Sequence, residues 1–377
     1  MQQPSPKRIL VCPLDWGLGH ATRCIPLIRE LISAGVEVVI ASDGLQLKLL
    51  SSEFPEMEWV VLPGYKIKYG RKTGVGLKVF INSPGILFSI YKEHSELKSL
   101  IKNYRIDGVI SDNRYGLWNK KVRTVLMTHQ LNIIAPGTLK FTEPLLRSFV
   151  RYFAGKFDEC WVPDTEGKDN LSGKLSHGFI HPANTSYIGI LSRFDHKETP
   201  INGRQYDLVA LVSGPEPQRT MFEDKLLSQL PVEGKKCLII RGIPGDTQIT
   251  NLRSNLDSAN HLSANPMHDI LSKKPIVVCR SGYSTLMDIA FTGNKAVLIP
   301  TPGQTEQEYL ARFLEEKGFY LACNQKDMTL EKALNELEKR KLRPTIRAVS
   351  QYAGFIRNFI RKINESDSVK VQMPKSI

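Results

Sequence analysis

The stretch from Arg8 to Gly35, RILVCPLDWGLGHATRCIPLIRELISAG, constrains the fold more than any other part of the chain. Ile9-Leu10-Val11-Cys12 is a short, continuous apolar run, the pattern of a strand buried on both faces. Further on, Ala21, Ile25, Ile28 and Ile32 recur at helical spacing, and Gly35 offers a left-handed cap without a Cβ clash. Between them lies the loop Asp15-Trp16-Gly17-Leu18-Gly19-His20. Strand, loop and helix form a βα unit. In an open parallel sheet such a loop sits at the carboxyl end of its strand, on the ligand crevice.

The unit repeats. Short apolar runs at 36–41, 59–62, 107–112, 124–129 and 159–163 alternate with helical patterns, and the alternation restarts after Tyr187 with runs at 206–213, 237–240, 276–279 and 296–300. A helix is expected over 139–156 and another over 345–363. With 377 residues, the chain is long for one core and natural for two. The fold class is α/β, with two doubly wound Rossmann-like domains facing a cleft: 1–187 and 188–377, hinged near Asn184 to Phe194. The tail helix 345–363 is expected to pack back on the first domain.

Composition narrows the function. No run of about 18 apolar residues marks a membrane span, and the N-terminus lacks the apolar region of a signal peptide. The six cysteines are scattered without a C-x-x-C pair, as small buried hydrophobes in a reducing cytoplasm would be. The eight histidines show no zinc-ligand spacing, and no metal site is expected. A formal charge of +13 favours anionic partners. With no zinc finger, RNP pattern or basic-region heptad, nucleic acid is set aside, which leaves phosphorylated ligands and anionic membrane.

Four constellations carry chemistry. Gly17-x-Gly19 after a strand suggests a dinucleotide fingerprint with Asp43 as its ribose acid, but Thr22 replaces the third glycine and His20 intrudes. A tight turn with His20 capping the helix fits the same residues. The segment Val278-Cys279-Arg280-Ser281-Gly282-Tyr283-Ser284-Thr285 delivers a glycine and hydroxyl residues to a helix start, where free N–H groups and the dipole favour phosphate. Thr285-Leu286-Met287-Asp288 reads as a capping box, and Asp288 reads equally as a carboxylate for a ribose diol. The polar loop Thr301 to Glu308, with Gln304, Glu306, Gln307 and Glu308, leads into another helix and suits sugar hydroxyls, and taken alone it reads as a solvated helix start. Finally, Lys66, Lys68, Arg71, Lys72 and Lys78 surround apolar residues including Phe80, Leu87 and Phe88. Basic plus apolar is the signature of interfacial membrane contact, and equally of a buried helix beside a solvated loop. The segment 139–157 extends the same pattern.

The block from Val277 to Gly282 with Thr285, Ile289-Ala290 and Gln307-x-Tyr309, together with Gly17-x-Gly19-His20, resembles GT-B glycosyltransferases, most closely the family-28 (MurG-like) type. The resemblance implies a nucleotide-sugar donor, usually a UDP-sugar such as UDP-GlcNAc, held by the second domain as co-substrate with no cofactor. It implies donor contacts at Arg280, Ser281, Gly282, Ser284, Thr285, Gln304, Gln307 and Glu308, with ribose at Asp288. Arg193 matches the hinge arginine that meets the diphosphate, and Ser213-Gly214 occupies the place of a second-domain glycine loop. In the first domain it implies His20 as catalytic base and Asp112, ending the strand Val109-Ile110-Ser111-Asp112, as the group that orients it. His129 is a rival partner or an acceptor contact, beside Asp15, Trp16, Gly17 and Gly19. The basic-apolar segment matches the family's membrane-docking patch.

The resulting expectation is an inverting, metal-independent transferase acting on a lipid-linked or envelope glycan hydroxyl at the inner face of the cytoplasmic membrane. A UDP-sugar 2-epimerase of the same fold and a non-catalytic membrane-anchoring subunit are the alternatives.

Overall fold

Each buried apolar run becomes a strand. The computed structural model describes residues 6–15, 17–64, 84–195, 205–243, 245–344 and 351–372. Its first half runs β1 (Arg8–Pro13), α1 (Leu18–Ser33), β2 (Glu37–Ser42), α2 (Gly44–Glu53), β3 (Glu58–Val61), α3 (Pro84–Tyr104), β4 (Gly108–Asp112), β5 (Arg123–Met127), α4 (Glu143–Ala154), β6 (Glu159–Val162) and β7 (Thr185–Tyr187). The second half runs β8 (Leu208–Leu211), α5 (Gln218–Leu227), β9 (Cys237–Ile240), β10 (Thr250–Arg253), β11 (Leu256–Ala259), α6 (Ala264–Ser272), β12 (Ile276–Cys279), α7 (Tyr283–Thr292), β13 (Ala296–Leu298), α8 (Thr305–Glu316), β14 (Leu321–Ala322), α9 (Leu330–Lys339) and α10 (Tyr352–Gln372).

The strands form two seven-stranded sheets, ordered β3-β2-β1-β4-β5-β6-β7 and β10-β11-β9-β8-β12-β13-β14. Strand order reverses between β1 and β4 in the first sheet and between β8 and β12 in the second. These are the switch points where open α/β sheets bind ligands. All pairings are parallel except β10 with β11. Strands such as β4 and β9 are buried throughout, which explains their continuous apolar runs. The β10–β11 pair is a polar hairpin turning near Asn255, whose φ is 57°, and β10 is exposed along its length.

Some boundaries differ from the expected ones. The helix expected from Leu139 is a 3₁₀ turn over Gly137–Thr142 followed by α4, because Pro144 lacks an N–H and fits only a first turn. In α1 the buried face includes Cys24, Leu27 and Leu31, whereas Ile32 is exposed.

The last helix, α10, lies on the first half. Trp161 of β6 meets Phe355 and Phe359 with ring centroids 6.2 and 5.8 Å apart. A Cβ on Gly108 would sit 2.7 Å from Ile363 Cδ1, so the start of β4 needs glycine for α10 to approach. Arg357 pairs with Glu30 at 3.1 Å and Lys362 with Glu159 at 2.8 Å. One core cluster includes Ile28 and Trp161 of the first half, Ile188 and Phe194 of the connection, and Leu286 and Leu310 of the second.

The two halves touch rather than stand apart across an open cleft. Ser284 Oγ donates to the Gly19 carbonyl at 2.7 Å, Tyr283 Oη to the Pro163 carbonyl at 2.9 Å, and Thr305 Oγ1 to the Ile134 carbonyl at 3.2 Å. The backbone N–H of Lys174 donates to Tyr309 Oη at 2.5 Å. The N-termini of α1 and α7 therefore face each other in contact. Among the described residues, no helix is long and apolar enough to cross a membrane.

Candidate active site

The first loop turns on Gly17, the N-cap of α1, at φ 74° and ψ 157°, a conformation reserved for glycine. Gly19 answers a second need: a Cβ there would lie 3.0 Å from Ser284 Oγ. The turn throws His20 into the first turn of α1, directed at the end of β4. His20 Nδ1 lies 2.9 Å from Asp112 Oδ2, with the imidazole 13% exposed and the carboxylate 1%. His20 is thus no helix cap, and no side chain caps α1. Asp43, the ribose acid of a dinucleotide reading, instead caps α2 by accepting the Gly44 N–H at 2.7 Å.

Behind His20 stands Arg23, which sequence reading missed. Its Nε donates to Asp112 Oδ2 at 2.8 Å, and Nη2 also donates to Oδ1. Burial pushes the Asp112 carboxyl up, but the adjacent Arg23 and His20 outweigh it and hold it below the ordinary range. Arg23 is placed one helical turn after His20, and that spacing is the only signal the sequence offered.

His129 follows β5 and is buried, with both ring nitrogens engaged: Nδ1 lies 3.0 Å from Arg23 Nη1 and Nε2 2.8 Å from Glu306 Oε1. Its ring stacks on Tyr283 at 4.0 Å with planes 5° apart. Of its two expected roles, the ring thus takes that of a partner within the site, with both nitrogens bonded inside the protein. Burial, followed by the charges of Arg23 and His20, lowers its pKa despite Glu306. Glu306, expected only as part of the polar loop into α8, reaches across to His129 and accepts from Gln130 as well.

Asp15 sits beside this cluster. Among the described residues its Oδ1 is buried with no hydrogen-bond partner, and burial raises its carboxyl pKa against the pull of Arg114. A Cβ on Gly64 would fall 2.0 Å from Asp15 Oδ1, so the carboxylate rests on bare backbone. Arg114 holds that backbone, donating to the carbonyls of Leu62 and Pro63 at 3.0 and 2.8 Å. Trp16 lies outside the described residues, as do Lys66, Lys68, Arg71, Lys72, Lys78 and Phe80.

In the second half, β12 delivers the chain to Gly282, the N-cap of α7, and no side chain caps that helix. The expected capping box does not form: Asp288 lies deeper in the helix and faces the connection between halves. Its Oδ1 accepts from Ser192 Oγ at 2.9 Å and its Oδ2 from Arg193 Nε at 2.9 Å. Both carboxylate oxygens thus have donors within the protein, and burial raises its pKa against Arg193. The first-turn N–H groups at Tyr283, Ser284 and Thr285 are those a helix leaves to a ligand. Ser213 and Gly214, at the end of β8, are exposed at the other side of the switch point, Gly214 with φ 112°.

Two expected donor residues are hydrogen-bonded within the protein. Arg280 is 1% exposed, donates to the carbonyls of Ile299, Pro300 and Gln218, and lies 4.0 Å over the Phe222 ring. Its guanidinium ties the end of β13 to α5, and its Nε is buried with no hydrogen-bond partner among the described residues. Ser281 is fully buried and donates to the Gln307 carbonyl at 2.7 Å. The sugar-facing candidates are turned onto their own loop. Gln304 caps α8 by accepting the Gln307 N–H at 2.5 Å, Gln307 Oε1 accepts from Thr301 at 2.9 Å, and Glu308 Oε1 from Gly303 at 2.7 Å. Those bonds fix the loop's shape, and the Gln304 side chain also hydrogen-bonds the Glu306 carboxylate. Among the described residues, no group of three or more His, Cys, Asp or Glu is placed to hold a metal ion.

On α3, Leu87 and Phe88 are exposed, as are Phe141, Leu145 and Tyr152 on and before α4. The buried faces of both helices enter the same core cluster through Ile86, Ile90, Val150 and Phe153.

Comparison with known proteins agrees with this architecture. The model of the glycosyltransferase family 28 C-terminal domain matches residues 222–363. The UDP-N-acetylglucosamine–N-acetylmuramyl-(pentapeptide) pyrophosphoryl-undecaprenol N-acetylglucosamine transferase of Thermoanaerobacter sp. (strain X514) is 31% identical over 340 residues, covering 85% of this chain and 87% of its own. The protein of the same name from Actinobacillus pleuropneumoniae serotype 5b (strain L20) is 25% identical, covering 88% and 89%. Among solved structures, the spinosyn forosaminyltransferase SpnP superposes with a TM-score of 0.58 at 14% identity, covering 96% of each chain. That likeness identifies the two facing Rossmann-like halves as a GT-B fold. With residues 222–363 matching the family's C-terminal domain and whole-length kinship at 31% identity, the chain belongs to glycosyltransferase family 28.

Proposed function

We propose that this glycosyltransferase moves a sugar from a UDP-sugar of the UDP-GlcNAc type to a hydroxyl of a lipid-linked or envelope glycan acceptor, with inversion and without a metal ion. The observation that carries the proposal is the His20–Asp112 pair standing across from the uncapped N-terminus of α7, with Gly19 and Ser284 bonded between them. A base and an anion site on opposite sides of one junction suit a displacement at an anomeric carbon.

In this reading the acceptor hydroxyl attacks the anomeric carbon while His20 Nε2 takes its proton. Asp112 holds the Nδ1–H and stabilises the imidazolium. The bond from the anomeric carbon to the diphosphate breaks on the opposite face, so one displacement inverts the configuration. The first-turn N–H groups of α7, with Thr285 and Gly282 beside them, receive the departing charge, and Arg193 adds a cation. Asp288 orients Arg193, and ribose is reached through that pair. The amides of Gln304 and Gln307 face the donor sugar, with Glu308 at the rim. The bare backbone at Gly17 and Gly19 and the unpaired oxygen of Asp15 suit a polar acceptor. The relatives named for transfer to a pyrophosphoryl-undecaprenol substrate support the lipid-linked class.

The exposed apolar residues of α3 and α4, with Arg147, Arg151 and Lys156 nearby, fit peripheral contact with anionic membrane. Sedimentation with phosphatidylglycerol vesicles tests that contact. The reaction is tested with purified protein, UDP-GlcNAc and lipid extracts: transfer of labelled sugar is expected, and UDP binding by calorimetry. Epimer formed from UDP-GlcNAc without acceptor would replace the proposal with the 2-epimerase. Absence of any UDP affinity would return the chain to an anchoring subunit.

A further inference from the structure

The side chains behind His20 form one buried chain that crosses between the halves. Arg23 donates to both oxygens of Asp112, its Nη2 lies 2.8 Å from His20 Nδ1, and its Nη1 lies 3.0 Å from His129 Nδ1. A guanidinium has only donors, so His129 Nδ1 must accept. The proton of neutral His129 then sits on Nε2 and is donated to Glu306 Oε1 at 2.8 Å. The links run in one direction, from Arg23 in α1 through His129 to Glu306 in α8.

His20 has no such unique solution. Its Nδ1 faces the acceptor Asp112 Oδ2 at 2.9 Å and the donor Arg23 Nη2 at 2.8 Å. It can donate to the first or accept from the second, and not both. A base needs Nδ1–H on Asp112, which leaves the Nε2 lone pair for the acceptor's proton. Accepting from Arg23 puts the hydrogen on Nε2 and disables the base. The outcome depends on where Arg23 is held, and its outer contact is His129, which Glu306 fixes from the other half.

Charge points the same way. With both imidazoles neutral, Asp112, Glu306 and Arg23 leave one net negative charge in the cluster. A proton taken by His20 neutralises it. Without Glu306 the same proton would create a net buried cation, which low-dielectric surroundings resist.

We propose that Arg23, His129 and Glu306 are positioning residues that couple contact between the two halves to the tautomer of His20. With Glu306 seated on His129, Arg23 is held on Asp112 and His129, and His20 keeps its Nδ1–H on Asp112. When the halves part, Arg23 loses its His129 contact, and its Nη2, already 2.8 Å from His20 Nδ1, donates there and disables the base. The inference rests on His20 being the base.

The test uses the full-length chain with Glu306→Gln, which keeps the shape and removes the charge, and His129→Ala. Transfer kinetics and the ¹⁵N spectrum of labelled histidines are read with UDP bound. The wild type is expected to show His20 as the Nδ1–H tautomer. Both variants are expected to move it towards Nε2–H, with kcat falling about 10- to 100-fold and UDP affinity within twofold of the wild type. An Nε2–H tautomer in the wild type overturns the inference, as does an unchanged His20 pattern with near-normal kcat in Glu306→Gln. A loss confined to UDP affinity or melting temperature also overturns it, since that marks a structural contact. His20→Ala separates the two readings. If it still transfers, the base assignment fails; if it is dead while Glu306→Gln is normal, only the coupling fails.

Discussion

The two switch-point loops, after β1 and after β12, start from the same unit and end in opposite uses. Each follows a buried strand, turns on a glycine and opens a helix with no side-chain cap. At the first, the helix start carries His20 and Arg23, and the space behind it is filled by Asp112, His129 and Glu306. At the second, the charged side chain is withdrawn: Arg280 is buried on carbonyls and Ser281 on a backbone oxygen, leaving the helix N–H groups as the polar surface. One loop works through side chains and the other through backbone. A βα turn is therefore a platform whose chemistry depends on which side chains the surrounding core claims.

Breaking the first loop has the largest expected effect. His20→Ala should reduce transfer by roughly 10²- to 10⁴-fold, the usual worth of a general base, while calorimetric UDP affinity stays unchanged. Near wild-type transfer would remove the contrast between the loops. Arg280→Met should act on the second half in another currency. It strips three carbonyls of a buried donor and should cost about 3 kcal/mol of stability in urea unfolding. A loss of UDP affinity with unchanged stability would instead restore Arg280 to the donor site.

A smaller effect belongs to pH. The folded pKa of His129 lies below its ordinary value, so the unfolded chain binds more protons as pH falls through about 6.5. Stability from its neutral form is full above that pH and declines as pH falls below it. His129→Gln should flatten part of that slope. His94 and His261 shift in the same direction and keep the remainder. An unaltered slope would show that His129 does not titrate with unfolding. The smallest change is Ser284→Ala, which removes the bond to Gly19 and should cost about 1 kcal/mol. UDP affinity should hold within a few-fold; a hundredfold loss would show that the Ser284 hydroxyl, not the backbone, grips the anion.

Much of the fold was legible because buried parallel strands write themselves as unbroken apolar runs. Ile9–Cys12, Cys237–Ile240 and Ile276–Cys279 all became strands. The hairpin β10–β11 was not legible, since an exposed edge strand such as Thr250–Arg253 carries no apolar pattern. The break before α4 was missed although Pro144 announced it. At the site, the family resemblance implied His20 and Asp112 as a pair, and the structure brings them within 2.9 Å. Asp288 and Arg193 were singled out separately, and it is their pairing with each other that was not foreseen.

The sequence by itself determined the two runs of βα units, the glycine turns and the residues set at the strand ends, because these depend on neighbours a few positions apart. Only the tertiary structure decided which charges meet. Arg23 and Asp112 are 89 positions apart, and His129 and Glu306 are 177. Whether a buried arginine serves a ligand, as expected of Arg280, or a carbonyl or carboxylate of its own chain depends on what packing leaves unsatisfied. That is settled where helices from different parts of the chain close on one another, and no local pattern records it.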